Sequence, residues 1–267
     1  MQKTLNKSET SEMPSEKSIS KARIITLAAI LFCIAVSMIL FFIYQKGPDA
    51  YHYSPDTKIL LYHLIADETY GDYPDLFVKE ADFEAQLQEI QKKGYQTFFA
   101  DELHKIGREK AVVITFDDGY LDNYTTAFPL LRKYGMKATV FLSSDLIGTE
   151  GHLTEAQIKE MQESGVFHFG SHTETHLKLG DAMTDVIETE LSGSKEAIEA
   201  ITGAPVLSLA YPHGSYNDMV ELLAEKYGYR FCYTTNLPSE PYYENTALPR
   251  SYVVRNMPMD EFLSLLD

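Results

Sequence analysis

The stretch Val112-Val113-Ile114-Thr115-Phe116-Asp117-Asp118-Gly119 decides how the rest of this chain is read. Its first five residues are apolar or β-branched, the pattern of a strand buried on both faces. It then ends in two adjacent carboxylates and a glycine. Asp-Gly is ordinary turn chemistry, so a buried strand running into a solvated turn would account for the stretch taken alone. Carboxylates at the end of a buried strand are costly, however, unless a metal ion or a cation compensates them. Residues elsewhere in the chain must supply that compensation.

Outward from this strand, strand and helix patterns alternate. Strand patterns fall at 58–65, 95–99, 138–142, 166–169, 206–210, 229–234 and 252–254. Helical spacing links Phe83, Leu87 and Ile90 and stops at Gly94, and a short helix follows at 101–105. Tyr124, Phe128, Leu131 and Tyr134 define the next helix, which stops at Gly135. Residues 154–164 open with a Thr-x-x-Gln capping box; 184–201 is helical with Gly193 as a weak spot; 217–227 and 259–266 complete the set. Such alternation implies a parallel sheet with helices outside it. About seven units within 57–267 fit an irregular, closed (β/α) barrel better than an open sheet.

The chain has 267 residues, 45% of them hydrophobic, which suffices for one domain with a sizeable core. Its two cysteines are Cys33, in an apolar N-terminal run, and Cys232, far downstream; this is neither a disulfide framework nor a thiolate metal site. Residues 1–46 carry six basic and three acidic side chains, so a net charge of −16 leaves −19 on the remainder. A body that acidic excludes nucleic acid as a partner, because phosphate contacts need basic patches.

Residues 1–23 read as a polar, disordered cytoplasmic tail. Ile24 to Tyr44 is a charge-free, mostly apolar run of 21 residues. At ~1.5 Å per residue it spans about 31 Å, the thickness of a hydrocarbon core. Lys17, Lys21 and Arg23 precede it and only Lys46 follows closely, a bias that leaves the body outside. A cleaved signal peptide is the competing reading, but its apolar region is usually about 7–15 residues. The expectation is a single-pass cell-membrane protein: a transmembrane helix at 24–44, a linker at 45–56 and an extracytoplasmic domain at 57–267.

Gly170-Ser171-His172-Thr173-Glu174-Thr175-His176 follows a strand, as the Asp pair does. Histidines four apart meet on a helical turn or across a tight loop. A lone pair of this kind is usually incidental. Here it falls at the strand end that carries the chemistry in β/α barrels. Two imidazoles and one carboxylate suit zinc or another divalent ion. Leu209 to Gly214 ends a third strand, where Pro212 and Gly214 already explain a turn. His63 ends the first strand and Arg250 precedes the last; a core histidine and a surface arginine are their plain readings.

Together these segments resemble the polysaccharide deacetylases of carbohydrate esterase family four, the NodB-homology family. The resemblance covers roughly 57–267 and rests on TFDDG at 115–119, SHTETH at 171–176 and AYPHG at 210–214. It implies Asp117 as catalytic base and Asp118, His172 and His176 as metal ligands. The third motif, Tyr211-Pro212-His213, would face the substrate, with the His213 N–H as oxyanion donor. Two departures stand out. Many members carry an arginine, which tethers the base, where this chain has Ala210, and a late histidine acid where this chain has none after His213. Both gaps resemble a permuted branch typified by the poly-N-acetylglucosamine deacetylases, whose acid lies on the first strand. LLYHLI at 60–65 and the segment 83–103 are similar to that branch. The resemblance thus implies His63 as acid and Arg250 as the replacement tether.

The implied function is metal-dependent removal of N-acetyl groups from N-acetylhexosamine units. The substrate would be a cell-wall or surface polysaccharide: peptidoglycan, a secondary wall polysaccharide or poly-N-acetylglucosamine. Zinc is the foremost cofactor, with other divalent transition metals compatible. An O-acetyl esterase would use the same parts, and an inactive glycan-binding module could share the fold. A phosphoesterase would need more ligands and a basic clamp. Tyr62, Tyr120 and Tyr211 flank the motifs, either to stack on sugar rings or, more simply, to pack in the core.

Overall fold

The computed structural model describes residues 57–69, 72–235 and 246–267. The tail at 1–23, the apolar run at 24–44 and the linker at 45–56 lie outside the described residues. Among the described residues no helix is long and apolar enough to cross a membrane.

The chain enters on β1 (Lys58–Tyr62), breaks at His63 and resumes as β2 (Leu64–Ile65). Among the described residues β3 (Phe77–Val78) pairs only with β2, in a small parallel sheet that the sequence pattern does not announce. Helix α1 (Glu80–Lys92), β4 (Gln96–Phe98) and β5 (Ala111–Phe116) follow. A π-turn at Asn123–Ala127 feeds α2 (Phe128–Tyr134), then come β6 (Ala138–Leu142), α3 (Glu155–Glu163) and β7 (Phe167–Ser171). The chain continues through α4 (Thr184–Thr202), β8 (Ser208–Ala210), α5 (Asp218–Lys226), β9 (Phe231–Tyr233), β10 (Ser251–Tyr252) and α6 (Met259–Leu266). The capping box of α3 is formed, with Thr154 and Gln157 bonding reciprocally. α4 runs unbroken through Gly193, so that glycine is not a weak spot. Its missing Cβ makes room for a side chain from a neighbouring loop, described below.

The strands form a parallel α/β half-barrel in the order β10-β1-β5-β6-β7-β8-β9. β5 is its hub. One edge pairs with β1 along Val112–Phe116; the other pairs with β4 at Ala111–Val113 and with β6 at Thr115–Phe116. The closed barrel that the pattern suggests is thus observed as a half-barrel, whose two edges are linked by a short segment. Leu248 pairs with Tyr233 of β9, and three residues later Ser251–Tyr252 pair with β1.

The period-2 alternation of strand side chains sorts the core into two parts. Val112, Ile114, Phe116, Leu60, Tyr62, Leu209 and Tyr211 pack outward with Phe83, Leu131, Ile158, Leu191 and Phe262 of the helices. Ile59, Val113, Phe141, Ala210, Phe231 and Tyr233 pack inward with Leu248. The same alternation continues beyond the strand ends, and it decides which motif side chains face the interior.

Candidate active site

Two residues past Thr115, Asp117 falls on the inward parity of β5, and so does Arg250 on the segment leading into β10. They meet in a bidentate pair, Nη1 to Oδ1 and Nη2 to Oδ2, both at 2.7 Å. Arg250 is 0% and Asp117 2% exposed. Arg250 also donates through Nε to the Thr234 carbonyl and through Nη1 to Thr115 Oγ1, each at 3.2 Å, while its guanidinium lies over the Phe141 ring. Burial would raise the Asp117 pKa, but the Arg250 charge, helped by His172 and the hydrogen bonds, outweighs it and holds the carboxyl below its usual value. Ala210 also points inward, so the structure brings an arginine to the base from the other end of the chain.

Asp118 turns the other way. It is the first of four non-glycine residues here with left-handed backbone: Asp118 (φ 72), Thr173 (φ 66), His176 (φ 62) and His213 (φ 57). Asn256 is the sole other example among the described residues. Backbone strain of this kind concentrates where geometry is dictated by something other than chain preference. Asp118 Oδ1 lies 3.5 Å from His172 Nε2 and 3.3 Å from His176 Nε2. His172 Nδ1 donates to the Ala210 carbonyl at 2.7 Å, which leaves its Nε2 lone pair facing the carboxylates. Burial, helped by His176, lowers the His172 pKa more than Asp117 and Asp118 raise it. The contact with Asp118 raises that of His176.

This cluster suits a cation. Asp118 Oδ1 is buried without a hydrogen-bond partner among the described residues. One donor atom from each of Asp118, His172 and His176 lies within 4.8 Å of the others. Two imidazole nitrogens and an otherwise unpartnered carboxylate oxygen converge where a divalent ion would supply the missing partner. The His172–His176 segment is a loop, not a helical turn.

His63 sits at the break between β1 and β2, half-buried, its ring stacked on Tyr252 at 5.9 Å and 13°. Its charge, when present, reaches both Asp117 and Asp118. His213 is exposed, with its ring 4.8 Å from that of His176. Its two neighbours are not on the open face. Pro212 is buried, and Tyr211 takes outward parity, is fully buried and donates to the Thr246 carbonyl at 2.7 Å. Tyr62 is likewise buried and donates to Gln86 Oε1. Tyr62 and Tyr211 are therefore core residues, not sugar platforms; Tyr120 is half-exposed and stacks on His152. Sequence reasoning missed Tyr252. Its signal was its place two residues beyond Arg250, which puts both on one face of the strand.

A carboxylate clamped by arginine beside an Asp-His-His donor set is equipment for metal-assisted hydrolysis. Comparison with known proteins narrows this. Residues 104–232 match the family model for polysaccharide deacetylase. YxkH of Bacillus subtilis, whose name places it among polysaccharide deacetylases, is 39% identical over 183 residues. That alignment takes in 66% of this chain and 63% of the relative, so the chain spans less than two thirds of that relative's length. The poly-β-1,6-N-acetyl-D-glucosamine N-deacetylase of Staphylococcus epidermidis is 30% identical over 195 residues, covering 66% of this chain and 68% of the relative. The solved structure of the Streptococcus pyogenes deacetylase PplD in complex with acetate superposes with a TM-score of 0.73 at 30% identity, over 79% of this chain and 98% of that one. The chain belongs to the polysaccharide deacetylase family.

Proposed function

We propose that this protein is a metal-dependent N-deacetylase that hydrolyses the acetamido group of N-acetylhexosamine units in a wall or surface polysaccharide. The observation that carries this reading is the buried Asp117–Arg250 clamp set directly beside the Asp118, His172 and His176 cluster. Amide hydrolysis needs a deprotonated water, a stabilised oxyanion and a protonated leaving nitrogen. A divalent ion held by Asp118, His172 and His176 would supply Lewis acidity toward water and the acetyl carbonyl. Asp117 accepts the water's proton, and Arg250 keeps it ionised and fixes its orientation. The family resemblance assigns the His213 N–H as donor to the oxyanion, and the exposed His213 lies next to His176, ring to ring at 4.8 Å. His63, from the break after β1, donates a proton to the departing nitrogen. The products are acetate and a free amine.

The substrate class is supported by the S. epidermidis relative, named for poly-β-1,6-N-acetyl-D-glucosamine. The acetate bound to the S. pyogenes relative is the product such a reaction would release. We also propose that residues 24–44 anchor the domain outside the cell membrane, on the strength of the run's length and its flanking charge. The test is mass spectrometry of N-acetylated glucosamine oligomers and peptidoglycan fragments after incubation with the zinc-loaded protein. Loss of acetyl from nitrogen is expected. Loss only from O-acetyl esters, or from neither with metal content verified, overturns the reading.

A further inference from the structure

His172 and His176 lie on a loop whose shape the chain does not favour by itself, since Thr173 and His176 both need left-handed backbone. Something must hold it. On one side the β6 end does so. His172 N donates to the Leu142 carbonyl, Ser143 Oγ to the His172 carbonyl, Ser144 N to the Thr173 carbonyl and Asp145 N to the Glu174 carbonyl. That leaves the N–H groups of Glu174 and Thr175, which face α4.

There Glu190, a carboxylate only 5% exposed, receives them. Its Oε2 accepts from Glu174 N and Thr175 N, both at 2.9 Å, and its Oε1 accepts from Thr175 Oγ1 at 2.6 Å. The adjoining positions of α4 are shaped to the same loop. A Cβ on Gly193 would stand 2.6 Å from Glu174 Oε2, so glycine there leaves room for the Glu174 side chain. Ser194 Oγ lies 2.8 Å from Ser171 Oγ. Residues 190, 193 and 194 share one helix face.

We propose that Glu190 is a positioning residue for the metal site, holding residues 174–175 so that His176 swings onto Asp118 together with His172. This rests on the reading of Asp118, His172 and His176 as ligands. A buried carboxylate that accepts three hydrogen bonds from two consecutive residues fixes their backbone more firmly than solvent can. Glutamine can take over much of this task, because its carbonyl oxygen accepts the two N–H groups while its amide donates to Thr175 Oγ1. Aspartate cannot, because its carboxylate stops one methylene short.

The test uses the full-length protein stripped of metal, with zinc alone as the probe and affinity read by chelator competition. Glu190→Asp is expected to weaken zinc binding about 10–100-fold, as loss of an outer-shell support does. Glu190→Gln should stay close to the unmodified protein. Ile198→Ala, a core truncation on the same helix, controls for general loosening: it should lower the melting temperature without changing affinity. Thr175→Val, which removes one of the three bonds at an exposed position, should give a smaller loss in the same direction. It decides the matter if Glu190→Asp fails to fold. Unchanged affinity in Glu190→Asp or, failing that, in Thr175→Val overturns the proposal, as does an equal loss in Ile198→Ala. If the unmodified protein takes up no zinc, the ligand reading itself falls and this one with it. If it does and the variants match it, only the role of Glu190 falls.

Discussion

On one side of the site, both oxygens of Asp117 are bonded by a buried arginine, which is itself anchored on Thr115 and Thr234 and leaves the carboxylate lone pairs to spare. On the other, Asp118 has a buried oxygen with no donor among the described residues, backbone in a disfavoured region, and two imidazoles held nearby by loops that share that strain. Adjacent residues of one type thus sit in opposite environments. The Asp117 side is what a fold builds when it finishes its own electrostatics. The Asp118 side is unfinished without a cation. The difference separates two roles for carboxylates that the sequence presents as a simple pair.

The largest effect should come from neutralising each member of the pair. Asp117→Asn removes the proton acceptor but leaves the donor cluster, so turnover should fall about 10²–10⁴-fold while zinc stoichiometry is kept. Asp118→Asn should lose zinc and turnover together. Metal analysis beside a rate assay on an acetylated oligomer reads both. If the two variants behave alike, the contrast between the two sides is wrong.

Arg250→Ala attacks the finished side. It leaves a buried carboxylate uncompensated, a change that typically costs about 3–5 kcal/mol. Urea unfolding should show that loss in the metal-free protein. His176→Ala, on the unfinished side, should cost far less stability in the same assay. A stability loss for Arg250→Ala no larger than for His176→Ala would mean the clamp is not what completes the core there.

The proton for the leaving nitrogen is assigned, in the function proposed above, to His63 at the break after β1. His63→Ala should slow amide cleavage by at least about 10²-fold and slow an activated aryl acetate much less, because that leaving group needs no proton. Equal losses on both substrates, with zinc content verified, would show that His63 only packs against Tyr252.

The parallel strands and most of the helices around them were legible from the spacing of apolar residues, and the Asp-Asp and His-x-x-x-His segments from their place after strands; the order of the strands in the sheet was not. What was not legible depended on parity and closure. Tyr211 adjoins a site motif in sequence, yet strand alternation sends its ring to the helix layer. The break at His63, which ends β1 and sends β2 to pair with β3, leaves no mark in the run of apolar residues from 59 to 65. Gly193 reads locally as a helix weak spot, because only the folded loop reveals the Glu174 side chain that fills the space. Arg250 suggested itself as a tether by resemblance, but its complete burial follows from the Leu248–Tyr252 segment touching both sheet edges, a long-range fact.

Asp122 sharpens the opening contrast because, four residues after Asp118, it is a partly buried carboxylate with neither an arginine nor an imidazole among the described residues to offset burial. It accepts from Asn123 Nδ2 at 3.0 Å and from the Ile65 backbone, but burial prevails and raises its pKa from 3.8 to about 6. The sign follows directly. Between those two values the folded chain binds more protons than the unfolded chain, so stability falls as pH rises through that window and stays reduced above it. The group retains some solvent contact, so the reduction should be roughly 1–2 kcal/mol, less than the full shift would give. Asp122→Asn keeps an acceptor oxygen for both donors and cannot ionise. It should therefore be more stable than the unmodified protein above about pH 7 and gain little near pH 4, where the acid is already protonated. Urea midpoints of the metal-free protein at the two pH values decide it. A gain of equal size at both would point to packing instead of charge, and no gain at the higher pH would mean that solvent already screens Asp122 as an ion.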